Sequence, residues 1–84
     1  MNENRTHTEE FHVNGEHLLA KIKELIHEGN IRRIIIKDKD GKTVMEIPLT
    51  IGVVGVVLAP TLAAVGAIAA LVSEATVVVE KIEE

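Results

Sequence analysis

Apolar positions change their spacing from one stretch of the chain to the next, and each spacing predicts a different element. The opening residues "MNENRTHTEE" are polar after Met1, so 1–10 reads as a mobile tail and 11–84 as the folded domain. Phe11 and Val13 alternate with polar neighbours, the pattern of a short strand. In "VNGEHLLAKIKELIHEGN", Leu18, Leu19, Ile22, Leu25 and Ile26 recur at helical spacing and form one stripe. Asn14 is placed as the N-cap, Val13 and Leu18 have the spacing of a hydrophobic staple, and Gly29-Asn30 supplies the left-handed stop. "IRRIIIKDKDGKTVMEI" then predicts a β-hairpin. Ile31, Ile34, Ile35 and Ile36 are β-branched, Asp40-Gly41 marks the turn, and Pro48 ends the return strand because it cannot donate to a ladder. Met45, Ile47 and Leu49 share one face of the return strand, and Val44 and Glu46 the other; Ile35 shares a face with Arg33 and Lys37. "ATVVVEKI" predicts a third strand, with Val77 and Val79 on one face and Val78 opposite.

Between the hairpin and that last strand the chain carries no charge from Ile47 to Ser73. This is long enough to cross a bilayer, which takes about 20 residues. Three features favour burial in protein. The stretch is richer in Ala, Gly and Val than in Leu, Ile and Phe. Pro60 splits it into segments too short to span, with Pro at the first turn of the second, helical segment. A last strand left across a membrane would also have nothing to pair with. A helix that returns the chain to the hairpin makes strand two, helix and strand three a crossover, expected to be right-handed, with strand one between the other two. The expected fold class is therefore α+β: helix, strand, strand, apolar helical segment broken at Pro60, and strand, on a three-stranded sheet. Gly55, Ala59, Ala63 and Ala67 recur every fourth residue, and Gly66 and Ala70 repeat the interval. Small residues at this spacing let helices approach closely. The six are the candidate self-association residues.

Size strengthens that expectation. The chain has 84 residues, one small domain, and a core this small rarely contributes more than about 3–5 kcal/mol. With no cysteine, disulfides and Cys-based metal sites are excluded, and a partner chain becomes the simplest stabiliser. The net charge is −4 and Phe11 is the sole aromatic residue. Both facts argue against nucleic-acid binding, which needs cationic side chains for phosphates and aromatic rings for stacking. No apolar leader opens the sequence, and the absence of Cys fits the cytoplasm.

The run "ELIHEGNIRRIIIKD" joined to "GKTVMEIPLTIGVVG" resembles a family of small bacterial domains known only as a domain of unknown function. The resemblance extends from about Val13 to Ile82, through "APTLAAVGAIAAL", and its motif "EGNIRRIIIKD" followed by "EIPLT" is specific. It implies a bacterial, cytoplasmic domain and carries over no catalytic residue.

Candidate chemistry is sparse. His7, His12, His17 and His27 lack metal-ligand spacing, and no HExxH pattern is present. "KDKDG" places its Gly too early for a calcium loop and reads as the hairpin turn. "IGVVGVVL" is similar to the GxxG spacing of KH domains but has no Lys or Arg to meet phosphate; close packing at Gly52 and Gly55 accounts for it better. Ser73, the only serine, lies beside Glu74 where helix gives way to strand, with no sequence signal of a cleft around it. Neither a catalytic group nor a metal or cofactor site is expected. Arg32 and Arg33, adjacent on the first strand, are expected on opposite faces. One of them is expected to pair with Glu46 across the hairpin, or alternatively to contact a partner. The function expected is that of a self-associating structural or interaction module, a homo-oligomer. Membrane association through the same segment is the first alternative, and a small ligand-binding domain or enzyme with a site between subunits the second.

Overall fold

The computed structural model describes residues 6–49 and 58–82, with the backbone alone at 58 and 59. The elements run β1 (Thr6–Asn14), α1 (Gly15–Glu28), β2 (Ile31–Lys37), β3 (Thr43–Pro48), α2 (Leu58–Leu71) and β4 (Glu74–Ile82). Among these residues the sheet has four strands, in the order β1-β4-β2-β3, with every neighbouring pair antiparallel. The α+β expectation therefore holds, and the three-stranded sheet is corrected to four. β2 does lie between β3 and β4 as expected, and the added strand is β1 at the edge of β4. It begins at Thr6, inside the stretch expected as tail, and runs beside β4 from Thr6↔Ile82 to Asn14↔Glu74 without a register shift.

Alternation sorts the sheet into two faces. Val77 and Val79 of β4, Ile34 and Ile36 of β2 and Ile47 of β3 are buried on one face. There they meet Leu18, Ile22 and Leu25 of α1. The outer face carries Arg33, Ile35, Glu46, Val78 and Glu80, opposite the face that α1 covers. The hairpin turns through Lys39, Asp40 and Gly41. Gly41 takes φ +85°, and the Asp38 carboxylate accepts from the Asp40 and Lys42 amides. This is a self-satisfied turn of the type that needs glycine at a left-handed position.

Capping of α1 follows the sequence in position more than in chemistry. Asn14 has the extended N-cap backbone, but its side chain makes no capping hydrogen bond. The Gly15 amide donates instead to the Ser73 carbonyl, 3.0 Å away. Gly29 ends the helix at φ +86° as expected.

α2 begins at Leu58 and passes through Pro60, so the helix is not broken there. Pro60 lies in its first turn, where a missing N–H costs no intrahelical bond. α2 makes its closest backbone approach to α1, and its Val65 joins the buried core that α1 shares with the sheet. The start of α1 lies against the end of α2. A Cβ built at Gly15 would fall onto the Val72 carbonyl oxygen and within 2.8 Å of the Ala69 carbonyl oxygen. One built at Gly66 meets only Leu19, at 4.0 Å. The two glycines therefore differ in kind: Gly15 is required by backbone contact, and Gly66 is not.

Gly15→Ala should cost about 1–3 kcal/mol, the usual penalty for overfilling a packed contact, read as a fall of several degrees in Tm by circular dichroism. Gly66→Ala should be neutral or stabilising by up to about 1 kcal/mol through helix propensity. Equal melting temperatures for the two variants would refute the close approach at Gly15.

Candidate functional site

A helix that is apolar on every side is normally buried on every side. α2, with the sequence LAPTLAAVGAIAAL, has no charged residue, and Thr61 is its one polar side chain. The structure buries only part of its circumference. Val65 is buried, and Leu62, Ile68 and Ala69 pack against the core. Pro60, Ala63, Ala64, Ala67, Ala70 and Leu71 are exposed, Leu71 at 85%. At 100° per residue these six share one continuous outward arc.

The small-residue stripe predicted from sequence is thereby divided. Ala63, Ala67 and Ala70 lie on the outward arc, whereas Gly66 is half-buried beside Leu19 of α1. Gly55 and the Gly52–Gly55 motif lie outside the described residues, as does the side chain of Ala59. A four-residue interval recurs on both sides of such a helix, so spacing alone could not say which side faces α1.

On the outer sheet face the expected ion pair is present. Arg33 Nε lies 3.2 Å from Glu46 on β3 and 3.8 Å from Glu80 on β4. All three side chains keep substantial contact with water, so the contribution to stability is small. Arg32 and Arg33 are both exposed, and the strict alternation expected to set them on opposite faces is interrupted between Ile31 and Arg33. An irregularity in β2 pairs Ile31 with Lys81 and then Arg33 with Glu80, which leaves Arg32 as an extra residue. Such a bulge lets Ile31 and Ile34 both point inward without burying an arginine between them.

A second cluster had no sequence signal, because its members lie on three elements. Lys81 Nζ is 3.1 Å from Glu9 of β1 and 3.2 Å from Glu28 at the end of α1. His7 Nε2 is 2.9 Å from the other oxygen of Glu9. His7 and Glu9 take the inward positions of β1 beside Phe11 and Val13, where an apolar alternation would have announced a strand. Hydrogen bonds from His7 and then Lys81 hold the Glu9 carboxyl below its ordinary value, and Glu9 and then Glu28 raise the Lys81 ammonium above its own. His12 Nδ1 lies 3.2 Å from the Thr76 hydroxyl, while His17 and His27 are exposed on α1. No group of three metal-ligating side chains gathers among the described residues. The Ser73 side chain is exposed, and its carbonyl serves the Gly15 amide.

The lowered pKa of Glu9 gives a definite pH dependence. The folded state favours the carboxylate, so the associated stability is present above the ordinary carboxylate pKa and is lost as pH falls through the lowered folded value. Thermal melts from pH 7 down to pH 3 should show Glu9→Gln less stable than the parent at neutral pH, with the gap closing on acidification. A gap that persists at pH 3 would show that the network contributes nothing through its charge.

Neither a curated protein nor a solved structure matches the chain. A family model described as a domain of unknown function, DUF4342, matches residues 4–81. That span takes in β1 and reaches Lys81 in β4, so all of the sheet but Ile82, both helices and the Lys81 cluster fall within the match. By this match the chain belongs to the DUF4342 family, a domain of unknown function.

Proposed function

We propose that this domain is a self-associating structural module, in which the outward arc of α2 is buried against a second copy of the chain. The carrying observation is that arc itself: Ala63, Ala64, Ala67, Ala70 and Leu71 are exposed on a helix with no charged residue. Contiguous apolar surface of this kind marks interaction sites on soluble proteins. Alanines spaced by three and four residues allow a facing helix to come close, and Leu71 supplies a side chain large enough to fill the gap. Burial of the arc is favourable by about 25 cal/mol per Å² of apolar surface.

The outer sheet face is a weaker candidate, because Arg33, Glu46 and Glu80 already satisfy one another across it. A lipid surface is the competing occupant of α2. No helix among the described residues is long and apolar enough to cross a membrane. α2 also lacks the Lys and Arg residues with which interfacial helices rest on lipid headgroups. A fourteen-residue helix is only about 21 Å long, short for an interface that normally buries about 800 Å² per partner. Association through α2 alone is therefore weak and sensitive to dilution.

Light scattering on protein prepared without detergent should give a mass above one subunit that falls on dilution. Ala67→Glu should leave half that mass or less while preserving helix content and Tm, since residue 67 faces away from α1. Equal masses for parent and variant would overturn the reading. Co-flotation with neutral phospholipid vesicles, lost in Ala67→Glu, would transfer the arc to lipid.

A further inference from the structure

The two edges of the sheet are not equivalent. β3, at one edge, has six residues, ends on Pro48 and faces a register shift at Ile36/Lys37. Proline and irregularity are the usual means of making an edge unfit for a further strand. β1, at the other edge, has nine residues, no proline, no lysine and no irregularity along its ladder with β4. Among the described residues nothing pairs with its far side. Such an edge is a template for one more strand, bound through main-chain hydrogen bonds.

We infer that the free edge of β1 pairs with β1 of a second copy, antiparallel and centred on Phe11, with Glu10 of each chain opposite His12 of the other. Charge and the length of the overlap together select the register, since centring on Thr8, His12 or Val13 would overlap five residues of β1 or fewer. A twofold axis normal to the sheet keeps inward residues opposite inward ones, so the axis must pass through one residue position. Centred on Glu9 or Glu10, the pairing sets two carboxylates directly against each other, which is destabilising. Centred on Phe11, it sets Phe11 beside Phe11 on the helix-bearing face and makes two Glu10–His12 pairs on the outer face. The overlap runs from Thr8 to Asn14.

Both partners in that pair are ready for it. Glu10 and His12 are exposed outward positions of β1, opposite Val78 and Thr76 of β4. The Thr76 hydroxyl lies 3.2 Å from His12 Nδ1. With that hydroxyl donating, the ring proton resides on Nε2, and a neutral imidazole then offers an N–H for a carboxylate to accept. On the other face Lys21 covers the Phe11 ring at 4.1 Å from its centroid. This steadies the residue at the axis. The product is one continuous sheet with the helices of both copies on the same side, which leaves the outward arcs of α2 uncovered. The edge is thus a second surface, independent of the one proposed above.

The test is a charge exchange read by light scattering, with the full chain at equal concentrations and in the Ala67→Glu background so that α2 cannot contribute. The Ala67→Glu chain should run as a dimer at high concentration. Adding Glu10→Lys should halve the mass, because lysine then faces histidine. Adding His12→Glu as well should restore the dimer, because each lysine then faces a glutamate. Since the sequence has no cysteine, Phe11→Cys gives an independent readout of register. It should form a disulfide-linked dimer on mild oxidation, whereas Thr8→Cys, opposite Asn14 of the second copy, should not. A monomer in the Ala67→Glu background even at millimolar concentration overturns the edge pairing. So does a Glu10→Lys chain of unchanged mass, a charge exchange that fails to restore the dimer, or equal cross-linking at positions 8 and 11.

Discussion

The arrangement of this domain depends on the contact between the start of α1 and the end of α2. Gly15 brings the α1 backbone against the Val72 and Ala69 carbonyl groups, and its amide is anchored on Ser73. α1 is the element that α2 approaches most closely, and among the described side chains of α2 only Val65 is fully buried. Ala63, Ala64, Ala67, Ala70 and Leu71 stay exposed on the side of α2 that is turned away from the core.

The charged side chains fall into two groups with different work. On the outer sheet face, Arg33 links β2 to β3 and β4 in a solvated arrangement beside the half-buried Ile35 and Val78. On the inner face, Lys81 joins β4 to β1 and to the last turn of α1, where the apolar core gives out. A carboxylate near a helix C-terminus is unfavourable by itself, because the helix dipole is negative there. The ammonium of Lys81 offsets that at Glu28 while also holding Glu9. One cation thus fastens both the edge strand and the free end of the helix to the middle of the sheet.

Much of this was legible in the residues. The 3.6-residue stripe from Leu18 to Ile26 placed α1, the paired isoleucines around Asp40-Gly41 placed the hairpin, and the alternating valines placed β4. These elements owe their form to local periodicity. β1 was legible only at Phe11 and Val13, because half of its inward positions are His7 and Glu9, polar groups satisfied by an ion pair from a distant strand. The bulge at Arg32 was hidden for a related reason. Strict alternation places one arginine on each face, and only the cost of burying a charge shows that the backbone must give way instead. The Ala and Gly repeat announced close packing and could not say on which side, since that depends on where α1 lies.

The position of β4 has a consequence for how the chain is made. Of the described strands, the last to leave the ribosome is the one that lies between β1 and β2 and pairs with both. Until residues 74–82 are available, β1 has no neighbour and the β2–β3 hairpin presents an open inner edge. The contacts that close the sheet are thus the most distant in sequence, such as Thr6 with Ile82. Non-local pairing of this kind slows folding and prolongs the life of unpaired edges. The sheet can therefore be assembled only once residues 74–82 have emerged from the ribosome, after every other described element of the domain.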